Sequence, residues 1–234
     1  MTTFPSTLDE FLNGQVFLLN KPIGWSSFDI VKKMKYLIRK KYFIKKIKIG
    51  HAGTLDPLAT GLLIICTGKF TKKISEIQNL EKTYTGTIQL GGSTPSYDLE
   101  TEVFKNYKTN HITEKLITQK AKDFVGLIKQ KPPIYSALKK GGERLYEKAR
   151  RGENVTIDSR LVFVREFKIV SIENLKVHFK IICSKGTYIR SIAHDLGKAL
   201  QSGGYLSKLC RTSIGEYTVT NSIDIKKFED LLNS

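Results

Sequence analysis

The chain has 234 residues, 40% hydrophobic content, and 39 Lys and Arg against 22 Asp and Glu, for a formal charge of +17. That length can bury a substantial core, no apolar run approaches the ~20 residues of a membrane span, and the acidic N-terminus lacks the basic start of a secretion signal. The charge surplus points to a polyanionic partner, nucleic acid before membrane, in a cytoplasmic setting.

Val16 to Leu19 reads as a short buried strand, and Lys21-Pro22 starts a turn. Ser26 or Ser27 then caps a helix carrying Ile30, Val31, Met34, Leu37 and Ile38 at helical spacing. From Lys32 to Lys48 the basic residues run without an acid between them. A loop follows, then the apolar run Leu62 to Cys66, short enough for a central strand. "TKKISEIQNL" predicts a short helix, "KTYTGTIQLGG" a half-buried strand ending at a Gly-Gly turn, and "STPSYDLETEV" a polar loop leading into another strand. A helix is predicted from Thr113 to about Val125, with Leu116, Ile117, Ala121, Phe124 and Val125 on its apolar face. Residues 129–152 mix Pro-Pro, Gly-Gly and basic residues, as in a mobile arm. "SRLVFVREFKIVSIE" and "LKVHFKIICSKG" read as paired strands, and "TYIRSIAHDLGKAL" as a helix with Ile189, Ile192, Ala193, Leu196, Ala199 and Leu200 inward. A late strand region, "LSKLCRTSIGEYTV", and a short helix, "DIKKFEDLLNS", close the chain. Strands dominate without a regular βαβ rhythm, which predicts an α+β fold with a mixed, mostly antiparallel central sheet flanked by helices.

Several chemistries lack their residues. There is no GxxxxGK[ST] phosphate loop, no strand-linked GxGxxG and no Gly-x-Ser-x-Gly. The four histidines lack metal-ligand spacing. Cys66, Cys183 and Cys210 have no CxxC spacing and are expected to be buried reduced thiols. The chemistry must therefore suit one carboxylate without metal. Asp56 is the lone ionised side chain in "IGHAGTLDPLATGLLIICTG" (Ile49 to Gly68). It precedes Pro57, which disfavours helix, and is bracketed by Gly53 and Gly61, which permit unusual backbone geometry. On its own the segment reads more readily as an Asx-type turn stabilised by the Asp side chain. Arg190 follows a strand-to-helix junction at Gly186-Thr187, near a helix N-terminus where the dipole disfavours a cation. It needs an anion: a buried carboxylate such as Asp56, or a local partner such as Asp195 or Glu216.

"LNKPIGWSSFDIV", "GHAGTLDPLATGLL", "KTYTG", "PPIYSALK" and "KGTYIRSIAHDLG", in this order, resemble the TruB-type tRNA pseudouridine synthases over about Val16 to Val219. The resemblance implies the pseudouridine synthase fold and an enzyme converting uridine 55 in the T-arm of tRNA to pseudouridine, with no metal or organic cofactor. Asp56 matches the catalytic aspartate, and Arg190 the arginine that pairs with it. Tyr84 matches the tyrosine that stacks on the target base and helps move a proton. His51 matches a residue holding the flipped-out RNA, Tyr188 and Leu209 match residues lining the uracil pocket, and Lys21 is placed with the substrate-binding residues. Taken without the resemblance, Tyr84 reads as a cross-strand aromatic and His51 as a turn residue.

The inventory suits the reaction. Glycoside hydrolysis uses two carboxylates, one to activate water. An isomerisation needs no water, and Asp56 would act at ribose C1′, at uracil C6 or on the C2′ proton. The stacked base must be extruded and offered a replacement surface. Two basic clusters, Lys32 to Lys48 and Lys129 to Arg151, suit phosphates, the second corresponding to an arm that closes on tRNA. The loop "GGSTPSYDLET" departs from the more acidic form associated with the family. The expectation is a single catalytic domain over 1–234 without a C-terminal PUA domain, acting as a monomer with no obligatory protein partner and no membrane. Two alternatives are an RNA-binding or RNA-folding protein, for which the basic clusters alone suffice, and a synthase acting on another RNA.

Overall fold

The computed structural model describes residues 4–234. They form two compact units, one made of the residues up to Tyr84 together with Cys210–Ser234, the other of Thr85–Leu209.

The first unit opens with helix α1 (Leu8–Asn13), whose cap, Thr7, accepts from the Glu10 N–H while the Glu10 carboxylate accepts from the Thr7 N–H. Strand β1 (Val16–Lys21) leads to helix α2 (Ser27–Lys41), capped in the same reciprocal way by Ser26 and Asp29. Strands β2 (Ile49–His51) and β3 (Ala59–Thr67), a 3-10 turn (Gly68–Lys73), helix α3 (Ile74–Asn79) and the start of strand β4 (Lys82–Leu90) follow.

The second unit takes the rest of β4, then the short strands β5 (Gly92–Ser93) and β6 (Lys105–Asn106), helix α4 (Glu114–Lys122) and strand β7 (Gly126–Gln130). Strands β8 (Lys139–Lys140) and β9 (Glu143–Arg144) make a small hairpin before helix α5 (Leu145–Arg150). The long strands β10 (Arg160–Glu173) and β11 (Lys176–Cys183), helix α6 (Ile189–Ala199) and the start of strand β12 (Gly204–Ile214) complete it. The end of β12, strand β13 (Tyr217–Thr218), a 3-10 turn (Val219–Asn221) and helix α7 (Ile225–Asn233) return to the first unit.

The class is α+β, as the element pattern predicts. Strand order is β1-β3-β12-β4 in the first unit and β12-β4-β11-β10-β7 in the second. β1 and β2 pair with β3, and β7 and β11 with β10, all antiparallel. Parallel pairing appears at two isolated bridges, Leu19 to Ile223 and Asp98 to Leu206.

One core of the first unit joins the inner face of α2 (Ile30, Met34, Ile38) to Leu19, Leu63 and Ile65, closed by Phe11, Phe17 and Phe228. Phe17 meets Phe228 edge to face at 5.2 Å between ring centroids. Each such side chain contributes about 1.5–3 kcal/mol when fully buried. Lys33 on α2 pairs with Glu229 on α7 at 3.0 Å. The inward face of α2 is the one its periodicity predicts.

Some expectations need correcting. Ala199 is exposed, and Arg190, Ser191 and Gly197 share the buried side of α6 instead. Val125 lies beyond the end of α4 and is exposed. Cys210 is only half-buried, unlike Cys66 and Cys183. The loop after β4 is polar, but its first half is not solvated: Ser93, Thr94, Ser96 and Asp98 are all buried, the exposed residues come mainly after them, and the strand it leads to has two residues. The Thr94 and Ser96 hydroxyls both donate to the Asp98 carbonyl, so the loop satisfies itself internally.

Candidate active site

Asp56 sits half-buried on the loop joining β2 to β3. The backbone turns there, with the Ala59 N–H donating to the Asp56 carbonyl at 3.0 Å. Four residues of the first unit fix this loop: Ser27, Gly24, Arg211 and Lys21. Ser27, buried in the first turn of α2, accepts from the Leu55 N–H at 2.8 Å and lies 3.1 Å from the Leu55 carbonyl. The Gly24 N–H donates to the Pro57 carbonyl at 2.8 Å. Arg211, 1% exposed on β12, donates to the carbonyls of Leu62 (2.8 Å), Gly53 (3.0 Å) and Thr54 (3.5 Å). Arg211 also explains Gly61: its φ is +102°, and a Cβ there would overlap the Arg211 backbone.

Lys21, at the end of β1, is fully buried. Its ammonium donates to the carbonyls of Trp25 (2.6 Å), Pro22 (2.9 Å) and Pro57 (3.3 Å). Burial brings its pKa down to about 8, against an opposing pull from the Asp56 charge, with Arg211 adding to the depression. It is still mostly protonated at neutral pH, so two buried cations flank the Asp56 loop. His51, in β2, is half-buried, and its Nδ1 is buried without a hydrogen-bond partner. Burial, and secondarily the Arg211 charge, hold its imidazole below the ordinary histidine range, in the neutral form at physiological pH. Tyr84 is buried in β4.

The remaining candidates belong to the second unit. Arg190, in the first turn of α6, is 3% exposed and donates to the carbonyls of Ser96 (3.0 Å) and Tyr135 (2.8 Å). Its Nε lies 3.6 Å from the buried carboxylate of Asp98. Within this unit Asp98 is thus an anion beside Arg190, one that the sequence reading did not name. Tyr188 occupies the N-cap of α6, held through its backbone by Gln130, which accepts from the Tyr188 N–H (2.8 Å) and donates to its carbonyl (3.0 Å). The Arg160 guanidinium lies 4.8 Å from the Tyr188 ring centroid. Leu209 is half-buried on β12. The structure thus brings Asp56, Lys21 and His51 together in one unit, and carries Arg190, Tyr188 and Leu209 in the other.

Sequence reasoning passed over Arg211, Ser27 and Asp98. Ser27 carried a signal, standing at a helix start. Arg211 and Asp98 carried none, because charged residues in a strand region and a polar loop ordinarily face water. Among the described residues no group of three or more His, Cys, Asp and Glu is arranged to hold a metal ion, and no helix is long and apolar enough to cross a membrane.

Residues 39–189 match the TruB family pseudouridylate synthase (N terminal domain). The tRNA pseudouridine synthase B of Flavobacterium johnsoniae is 58% identical over 97% of this chain and 99% of its own length. That of Parabacteroides distasonis is 47% identical over 95% of each. Among solved structures, a chain of the crystal structure of a Cbf5-Nop10-Gar1 complex superposes with a TM-score of 0.68 at 28% identity, covering 94% of this chain. This chain spans about half of that one, 54%. Fold and sequence together define a pseudouridylate synthase, an isomerase that turns uridine into its C-linked isomer. Within that class the chain belongs to the TruB family.

Proposed function

We propose that the protein isomerises a uridine of tRNA, that the target is position 55 in the T-arm, and that Asp56 carries the reaction. The observation that carries this reading is the seating of Asp56: one carboxylate on a loop pinned at Gly53, Thr54, Leu55, Pro57 and Leu62 by Arg211, Ser27, Gly24 and Lys21. A loop fixed at so many points holds its side chain in place before substrate arrives, which is where positional catalysis originates. The relatives named tRNA pseudouridine synthase B support the choice of substrate.

In the reaction the bond from C1′ to N1 breaks, the uracil turns, and a bond from C1′ to C5 forms. The proton lost from C5 is balanced by one gained at N1, so neither water nor a second substrate is consumed. Tyr84 offers the extruded base a stacking face. His51, half-buried in β2 and neutral, is assigned to the flipped-out RNA on the strength of its motif. Arg190, Tyr188 and Leu209 are assigned to the same nucleotide on the strength of their motifs. The cytoplasm is the compartment this substrate implies.

The test is pseudouridine formation on an unmodified T-arm stem-loop and on unrelated uridine hairpins, by wild type and by Asp56→Asn. Conversion of the T-arm by wild type alone, with RNA binding kept by both, is the expected result. Turnover by the Asn variant would remove Asp56 from the mechanism, and preference for another hairpin would move the target.

A further inference from the structure

We propose that the outer face of α2, with the Ile23–Trp25 turn before it, is a platform for unpaired nucleotides flanking the target uridine. This rests on Asp56 being the reacting group. Phe28 and Tyr36 are 57% and 58% exposed, and Ile23 is 65% exposed. Phe28, Lys32 and Tyr36 recur every four residues and so form one stripe along the helix. The Lys32 ammonium lies 4.8 Å from the Phe28 ring centroid. Beside the stripe is a cleft of about 510 Å³ lined by Gly24, Trp25, Asp29, Lys32, Lys33 and Tyr36.

The chemistry of this face selects its occupant. Asp29 is the one acid in α2, against Lys32, Lys33, Lys35, Arg39, Lys40 and Lys41. Its carboxylate accepts from the Ser26 N–H and hydroxyl and lies 3.9 Å from the Lys32 ammonium, so the one acid is engaged at the cap and the helix keeps a surplus of cations. Aromatic rings interleaved with cations are what single-stranded nucleic acid needs, rings for bases and cations for the phosphates between them. A duplex would use the lysines and leave the rings idle. A protein-binding face would be depleted in Lys.

The platform is also joined to the reacting loop. The Gly24 N–H bonds the Pro57 carbonyl, the Lys21 ammonium bridges the Trp25 and Pro57 carbonyls, and Ser27 holds Leu55. RNA that delivers a uridine to Asp56 therefore has a stacking surface beginning one hydrogen bond away.

Phe28→Ala and Tyr36→Ala test this, because both side chains are exposed and outside the core. Binding would be measured to the T-arm stem-loop and to the same stem closed as a blunt duplex, with 4-thiouridine placed in the loop for crosslinking. Each variant should weaken stem-loop binding at least about fivefold, the lower end of what one stacked base contributes. The duplex should bind as before, turnover at saturating RNA should be unchanged, and crosslinks should fall within residues 23–36. Wild-type binding by both variants, equal losses on the duplex, or crosslinks elsewhere would each overturn the platform; the first result is also the one a protein-docking face would give. Asp56→Asn in parallel separates the failures: if it abolishes turnover while both ring variants bind normally, only the platform falls.

Discussion

Lys21 shows what the site costs the fold at the scale of one residue. Its pKa falls from 10.5 to about 8 because burial disfavours the charged form. Between those values the unfolded chain keeps a proton that the folded chain has released, so stability rises with pH across that window. Below pH 8 the penalty is present in full, about 3 kcal/mol at ~1.4 kcal/mol per pH unit. Lys21→Met removes this titration. Urea unfolding of wild type and variant at pH 7.5 and pH 10.5 should therefore show wild type gaining up to about 3 kcal/mol relative to Met over the interval. Parallel changes in the two proteins would show that Lys21 is solvated in solution. Sequence placed Lys21 at the head of a turn and, through the resemblance, with the substrate. It could not show that the ammonium is spent on three carbonyls, since that depends on where the Asp56 loop passes. Asp56, Tyr84 and Arg190 were singled out through their motifs, whereas Asp98, buried beside Arg190, was hidden in a segment whose composition reads as solvated loop.

Elements were legible where one periodicity governed them and less so where a side chain's surroundings decided. The apolar stripe of α2 and the pairing of β10 with β11 followed directly from pattern. Helix α1 was not read from the sequence: Thr7 and Glu10 stand at capping-box spacing, but the segment is too short for a convincing apolar stripe. On α6 the apolar positions were read correctly apart from Ala199, but its closest contact is made by a glycine. Gly197 packs against Gly204 at the start of β12, and a Cβ on Gly197 would overlap the Gly204 backbone, while one on Gly204 would come within 2.8 Å of the Ala193 carbonyl. Helix propensity favours Ala over Gly by up to about 1 kcal/mol, so propensity alone expects Gly197→Ala to stabilise. The contact expects the reverse, a loss of at least about 1–3 kcal/mol from overpacking. Urea melts of the variant decide between them, and a rise in midpoint would mean that α6 can move away from β12 freely.

Charge acts over the molecule as a whole. Lys32, Lys35, Arg39, Lys40, Lys41, Lys45, Lys46 and Lys48 are all exposed, so the basic run is solvated surface whether or not RNA is present. If it follows phosphates, log K for RNA should fall linearly with log salt, with a slope set by the number of contacts. Replacing Lys40, Lys41, Lys45 and Lys46 with Gln should flatten that slope by about one for each contact removed, measured by titration from 50 to 300 mM salt. An unchanged slope would move the phosphate contacts elsewhere. The two-part construction has a consequence of another kind. The chain leaves its first unit at Tyr84 and returns only at Cys210, and the next residue is the arginine that grips the Asp56 loop. A ribosome emits residues at roughly 5–20 per second. For on the order of ten seconds of synthesis, then, the Asp56 loop exists without the guanidinium that sets it. Asp56 is among the earlier parts made and the setting of its loop among the last parts finished, so a chain truncated before Arg211 would carry every motif residue of the candidate site and still lack the group that fixes the Asp56 loop.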